Sequence, residues 1–206
     1  LHNPAFVEVA RRNTATELVE QTVHLVRQAH KRDLVSFLIK QNNWQQVLIF
    51  TRTKHGADKV VKILHREHIT AAAIHGNKSQ SQRTKALAEF KSGELHILVA
   101  TDILSRGIDI DNIDLVINYD VPHDGEDYVH RIGRTARAAS EGTAYTFISE
   151  KEQQKFAEIE ELLGHAVTKA QVPEQFGPTP AYNPKARRPS QGGGARRFGG
   201  GGGKRR

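Results

Sequence analysis

Six short apolar runs punctuate residues 22–149, separated by stretches with helical spacing, and this alternation constrains the fold more than any other feature. The runs are TVHLV (22–26), QVLIFT (46–51), AAAIH (71–75), HILVATD (96–102), LVINYD (115–120) and TAYTFIS (143–149). Most are continuously apolar, as strands covered on both faces are. Helical patterns occupy 31–42, 54–68, 79–92, 125–138 and 150–163. Parallel neighbours need a crossover, so strand–helix alternation predicts an α/β domain: a parallel sheet with helices on both faces. Local signals agree. Ser79 precedes one helical run and Gly93 follows it, as an N-cap and a C-terminal glycine do. Ala57, Val60, Val61 and Leu64 form one core-facing stripe at i, i+3, i+4 and i+7.

Charge divides the chain. Residues 1–172 hold 22 Lys+Arg against 22 Asp+Glu, while residues 173–206 hold eight against one. The net charge of +7 therefore belongs to the tail and says nothing about the domain. Past Gly164 the periodicity stops. VPEQFGPTPAYNPK carries four prolines, and the Gly/Arg-rich end buries too little apolar surface to order itself. The expectation is a disordered basic tail over 169–206, behind a domain at 17–168. No run of 18 apolar residues and no signal-peptide pattern is present, which predicts no membrane association. The chain has no cysteine; disulfides and thiolate metal sites are excluded, and a reducing, cytoplasmic setting is expected.

Ligands of open parallel sheets bind beyond the carboxyl ends of the strands. Thr51–Lys54, His75–Lys78, Thr101–Asp102 with Ser105–Asp109, and Asp120 fall at those ends. Hydroxyls and amides beside glycine suit phosphate. The segment HRIGRTAR (130–137) adds three arginines. On a helix, His130, Arg134 and Arg137 share a face and Val129, Ile132 and Ala136 another. Guanidinium stays charged and grips phosphate through a planar fork. The sequence has no G-x-x-x-x-G-K-[ST]; the GGGGGKRR run fails because Arg205 follows Lys204. It also lacks an Asp-Glu pair for Mg²⁺. Arginines without a cradle suit a nucleotide held by another domain, as arginine fingers do.

Together these segments resemble the second RecA-like domain of DEAD-box RNA helicases, of superfamily 2, over about 20–165. VLIFTRTK (47–54) is similar to motif IV, HGNKSQSQRTKALAEFKSG (75–93) to motif IVa, ILVATDILSRGIDI (97–110) to motif V and HRIGRTAR to motif VI. The wording of 44–57 and 72–80 is nearest the RhlE-like bacterial subgroup. The resemblance implies a P-loop NTPase-like RecA fold and an ATP-dependent enzyme that unwinds or remodels short RNA duplexes. It implies arginine fingers at Arg134 and Arg137, a ribose contact at Asp109 with close approach at Gly107, and coupling to the nucleotide site by His130 and Arg131. It implies an RNA path along Thr53, Gly76, Gln80, Arg83, Thr101 and Asp102. ATP with Mg²⁺ would be held mainly by a first RecA-like domain in cis, and residues 1–16 would be the end of that domain plus a linker. This half alone is then expected to be a monomer unable to hydrolyse ATP. Ala136 stands where the family usually has glycine; since alanine is the better helix former, the change should be tolerated. Two alternatives stay open: an ATP-independent RNA-binding or annealing module, and the matching domain of a superfamily 2 helicase acting on DNA.

Overall fold

The computed structural model describes residues 18–42, 44–101, 110, 111, 113–135 and 142–185. Seven strands, β1 (Val19–Leu25), β2 (Val47–Thr51), β3 (Ala71–Ile74), β4 (Ile97–Thr101), β5 (Leu115–Asn118), β6 (Gly142–Ile148) and β7 (Thr168–Ala170), form one sheet. Their order is β3-β4-β2-β5-β6-β1-β7 and every pairing is parallel. Among the described residues, five α-helices connect them: α1 (Lys31–Gln41), α2 (Lys54–Arg66), α3 (Gln80–Ser92), α4 (Gly125–Ile132) and α5 (Gln153–Leu163). The core is layered on both sides of the sheet. Residues of α1 and α2 share one apolar cluster with β2 and β4, residues of α3 pack against β2, β3 and β4, and residues of α4 and α5 pack against β1 and β6. The predicted α/β sheet is therefore present, and the caps are where the sequence puts them. Ser79 and Gln82 form a capping box at the start of α3, and Gly93 ends it in the left-handed conformation.

Three expectations change. The helix predicted over 125–138 ends at Ile132. Gly133 closes it, and the Thr135 hydroxyl then donates to the carbonyls of Ile113 and Asp114, which pulls the chain out of helical register. Gly142 opens β6 directly against this turn; a Cβ there would lie 2.2 Å from the Thr135 carbonyl oxygen. Arg134 consequently lies beyond the helix that carries His130; Arg137 and Ala136 lie outside the described residues.

The boundary at 168 also moves. Residues 168–185 are a strap packed on the domain rather than part of a tail. β7 pairs with β1, and Val172 and Phe176 are buried in the cluster beside α1, with the Phe176 ring edge-on to Phe37. The strap then reaches α5, where the Ala181 carbonyl accepts from Gln153 Nε2 at 2.8 Å and the Asn183 amide donates to Gln153 Oε1 at 2.6 Å. Tyr182 packs on the α4–α5 cluster and donates its hydroxyl to Glu160. The proline-rich composition hid this because a strap needs a few anchors, not a period. Residues 1–16 and 186–206 lie outside the described residues.

Trp44 packs against the α1–α2 cluster. It also lines a cleft of about 520 Å³ with Ile39, His68 and Ile97, at the amino ends of β2 and β4. Among the described residues, no helix is long and apolar enough to cross a membrane.

Candidate functional site

All strands run one way, so Thr51, Ile74, Thr101, Asn118 and Ile148 end along a single carboxyl edge. Strand order reverses around β2, and the loops beyond it form the crevice in which such sheets bind ligands. Thr53 is exposed there and caps α2, its hydroxyl accepting from the Gly56 amide at 3.0 Å. Lys54 Nζ donates to Asn77 Oδ1 at 3.0 Å, which joins the loops after β2 and β3. Gly76 is exposed, with nothing within 4 Å of a Cβ placed on it. The domain itself has no steric need for glycine there. Gln80 is exposed at the start of α3 and accepts from the Arg83 guanidinium one turn on. These four residues form one surface. Thr101 does not join it: the side chain is 7% exposed at the end of β4. Asp102, Gly107 and Asp109 lie outside the described residues.

Behind the loops stands a buried polar network whose chemistry the motifs do not announce. Lys31, fully buried, donates to Glu152 Oε2 at 2.6 Å and to the Tyr119 carbonyl at 2.8 Å. Glu152 also accepts from the Ser149 hydroxyl and amide, and from Arg52 Nη2 at 3.3 Å. The Arg52 amide donates to Asp120 Oδ2 at 2.9 Å. Burial alone would raise the Glu152 carboxyl; the Lys31 charge and the bonds from Lys31 and Ser149 outweigh it and hold the group below the usual carboxylate range. A second cluster braces the 75–78 loop. Asp58 lies 3.1 Å from the buried His75 Nε2 and 3.0 Å from Lys78 Nζ. Burial opposes, but these contacts hold its carboxyl low.

The arginine segment splits in two. Arg131, expected to couple the nucleotide site to the other domain, is 2% exposed. It points back along α4, as helical side chains do, and donates Nη1 to Asn118 Oδ1 at 3.0 Å and to the Asp120 carbonyl at 3.1 Å. Its guanidinium lies over the Phe50 ring. It is a positioning residue that ties α4 to the ends of β2 and β5. His130 is exposed. Arg134 is half-buried, with Nη1 3.2 Å from Asp111 Oδ1. Its carbonyl accepts from the Ile113 amide, just before β5, and Thr135 meets the first residues of β6. Arg134 thus stands near the amino ends of β5 and β6, about 12 Å of helix away from the carboxyl edge. The sequence placed both groups of residues on one rim; the structure puts them on two.

Residues 29–139 match the family model described as the helicase conserved C-terminal domain. The chain is similar to the ATP-dependent RNA helicase RhlB of Pseudomonas putida, 41% identical over 174 residues, which covers 84% of this chain and 44% of that protein. It spans less than half the length of the curated relatives it matches. Among solved structures, it superposes with TM-score 0.71 on a DEAD box protein from the hyperthermophile Methanococcus jannaschii, 36% identical, covering 75% of this chain and 42% of that one. It also superposes on S. cerevisiae Dbp5 bound to RNA and ADP BeF3, with TM-score 0.71, 28% identity, and 77% and 43% coverage. The sheet is accordingly RecA-like, and the chain belongs to the helicase conserved C-terminal domain family, in its DEAD-box branch.

Proposed function

We propose that the chain is the second RecA-like domain of an ATP-dependent RNA helicase, and that its two edges serve two different polyanions. The observation that carries this reading is their separation. Thr53, Gly76, Gln80 and Arg83 surround the carboxyl edge, while Arg134 stands half-exposed near the amino ends of β5 and β6. The relatives support it, being named as ATP-dependent RNA helicases or described as bound to RNA and ADP BeF3. RNA lies along the carboxyl edge, contacted through phosphates and sugar hydroxyls, so that recognition is independent of sequence. ATP is gripped by a preceding domain in cis. Arg134, with Arg137 in the same segment, brings positive charge to its terminal phosphate when the two domains close. Asp109 and Gly107 receive the ribose, and His130 faces the preceding domain. The Mg²⁺ that accompanies ATP rests mainly on the preceding domain. The contact to Asp111, 59% exposed, contributes about 1 kcal/mol or less, as exposed ion pairs do. A phosphate can therefore displace it.

The test uses Arg134→Ala in a protein that carries this chain behind a phosphate-loop domain. RNA-stimulated ATP hydrolysis should fall about 10³-fold, the lower end for an arginine finger, with RNA affinity little changed. The 206-residue chain alone should show no turnover with RNA present. Near-normal hydrolysis by the variant, or turnover by the chain alone, overturns the assignment.

A further inference from the structure

We propose that the outer face of α2 is a second RNA-binding surface, a track for the duplex that flanks a strand held at the carboxyl edge. The inference rests on the reading of that edge as an RNA surface. His55, Lys59, Lys62 and Arg66 stand at i, i+4, i+7 and i+11, which puts them on a single stripe. All four are exposed, opposite the buried Ala57, Val60 and Leu64. Among the described residues none of the four has an ion pair or a side-chain hydrogen bond. The two nearby acids are engaged elsewhere, Asp58 with His75 and Lys78, and Glu67 with Lys40.

Such a stripe is unfavourable for the helix itself. Lys59, Lys62 and Arg66 stand about one turn apart and repel one another. Overall charge does not account for it either, because residues 1–172 balance 22 bases against 22 acids. The exposed side of α5 carries Glu158 and Glu161 instead. The stripe starts from the carboxyl edge, where Thr53 caps α2 and Lys54 reaches Asn77. From His55 to Arg66 the helix rises about 16 Å. Phosphates along a duplex strand follow one another every few ångströms of axis, about 3.4 Å in B-DNA and less in A-form RNA, so the track is long enough to meet several of them. Its continuity with the carboxyl edge favours nucleic acid over an acidic protein.

The experiment compares the chain with its Lys59→Gln/Lys62→Gln/Arg66→Gln variant by fluorescence anisotropy. One probe is a single-stranded ten-nucleotide RNA, the other the same strand extended by a hairpin duplex. The three side chains are exposed, so the fold persists. The variant should bind the hairpin probe about tenfold more weakly and lose about two to three from the slope of log Kd against log salt, while the single strand is unaffected. An unchanged hairpin slope overturns the track and leaves the carboxyl edge intact. Loss of poly-glutamate binding with hairpin binding unchanged gives the face to an acidic protein and also overturns it. Failure of the wild-type chain to bind either RNA overturns both readings.

Discussion

His24 shows how much a single side chain can be forced by its position. It lies on β1, 7% exposed, edge-on to the rings of Tyr145 and Phe147, and neither ring nitrogen has a hydrogen-bond partner. Desolvation pushes its pKa down to about 4, from 6.5. The folded state therefore prefers the neutral ring. Its contribution is complete above pH 6.5 and is lost as pH falls toward 4. Between pH 7.5 and 5 the chain should lose about 2 kcal/mol of urea-unfolding stability, and His24→Leu should flatten that slope. A wild-type profile already flat over this range would contradict the burial argument. Sequence marks His24 only as a polar residue in an apolar run. Arg131 is the same lesson at the candidate site. Its motif is legible, but whether the guanidinium faces a phosphate or Asn118 depends on where β5 ends relative to α4, and no spacing states that.

Among the elements, the six strands and five helices of the alternating region were legible to within a few residues. Apolar period and caps are local properties, and burial on both faces reinforces them. Two elements were not. The end of α4 is set by Thr135 reaching the carbonyls of Ile113 and Asp114, a contact with residues some 20 positions away. The strap is set by Val172, Phe176 and Tyr182 finding pockets made by other elements. It also covers β1, which would otherwise be the exposed edge of the sheet. Ending the chain at 185 should leave its urea midpoint unchanged, whereas ending it at 171 should cost about 3 kcal/mol through the lost burial of Val172 and Phe176. Equal midpoints for the two would mean that the strap contributes no stability.

Across the whole molecule, the Lys31–Glu152 network binds α1 to the ends of β2, β5 and β6, and so holds the loop after β2 and the support of Arg131 in one frame. A buried pair is damaged more by losing one partner than both. Lys31→Met, which strands Glu152, should cost about 3–5 kcal/mol in urea unfolding, and Lys31→Met/Glu152→Leu should be less destabilised. A double variant as unstable as the single one would show that the pair acts independently of its charge. Local chemistry, by itself, determined the layered parallel fold, the family and the kinds of residue at the site, because strand periodicity, caps and short motifs are carried by neighbours along the chain. Tertiary structure alone decided that Arg131 is internal, that Arg134 and the loops after β2 and β3 occupy opposite edges, and that the proline-rich stretch is a strap. Each of those depends on contacts between residues distant in sequence, and only the closed sheet brings them together.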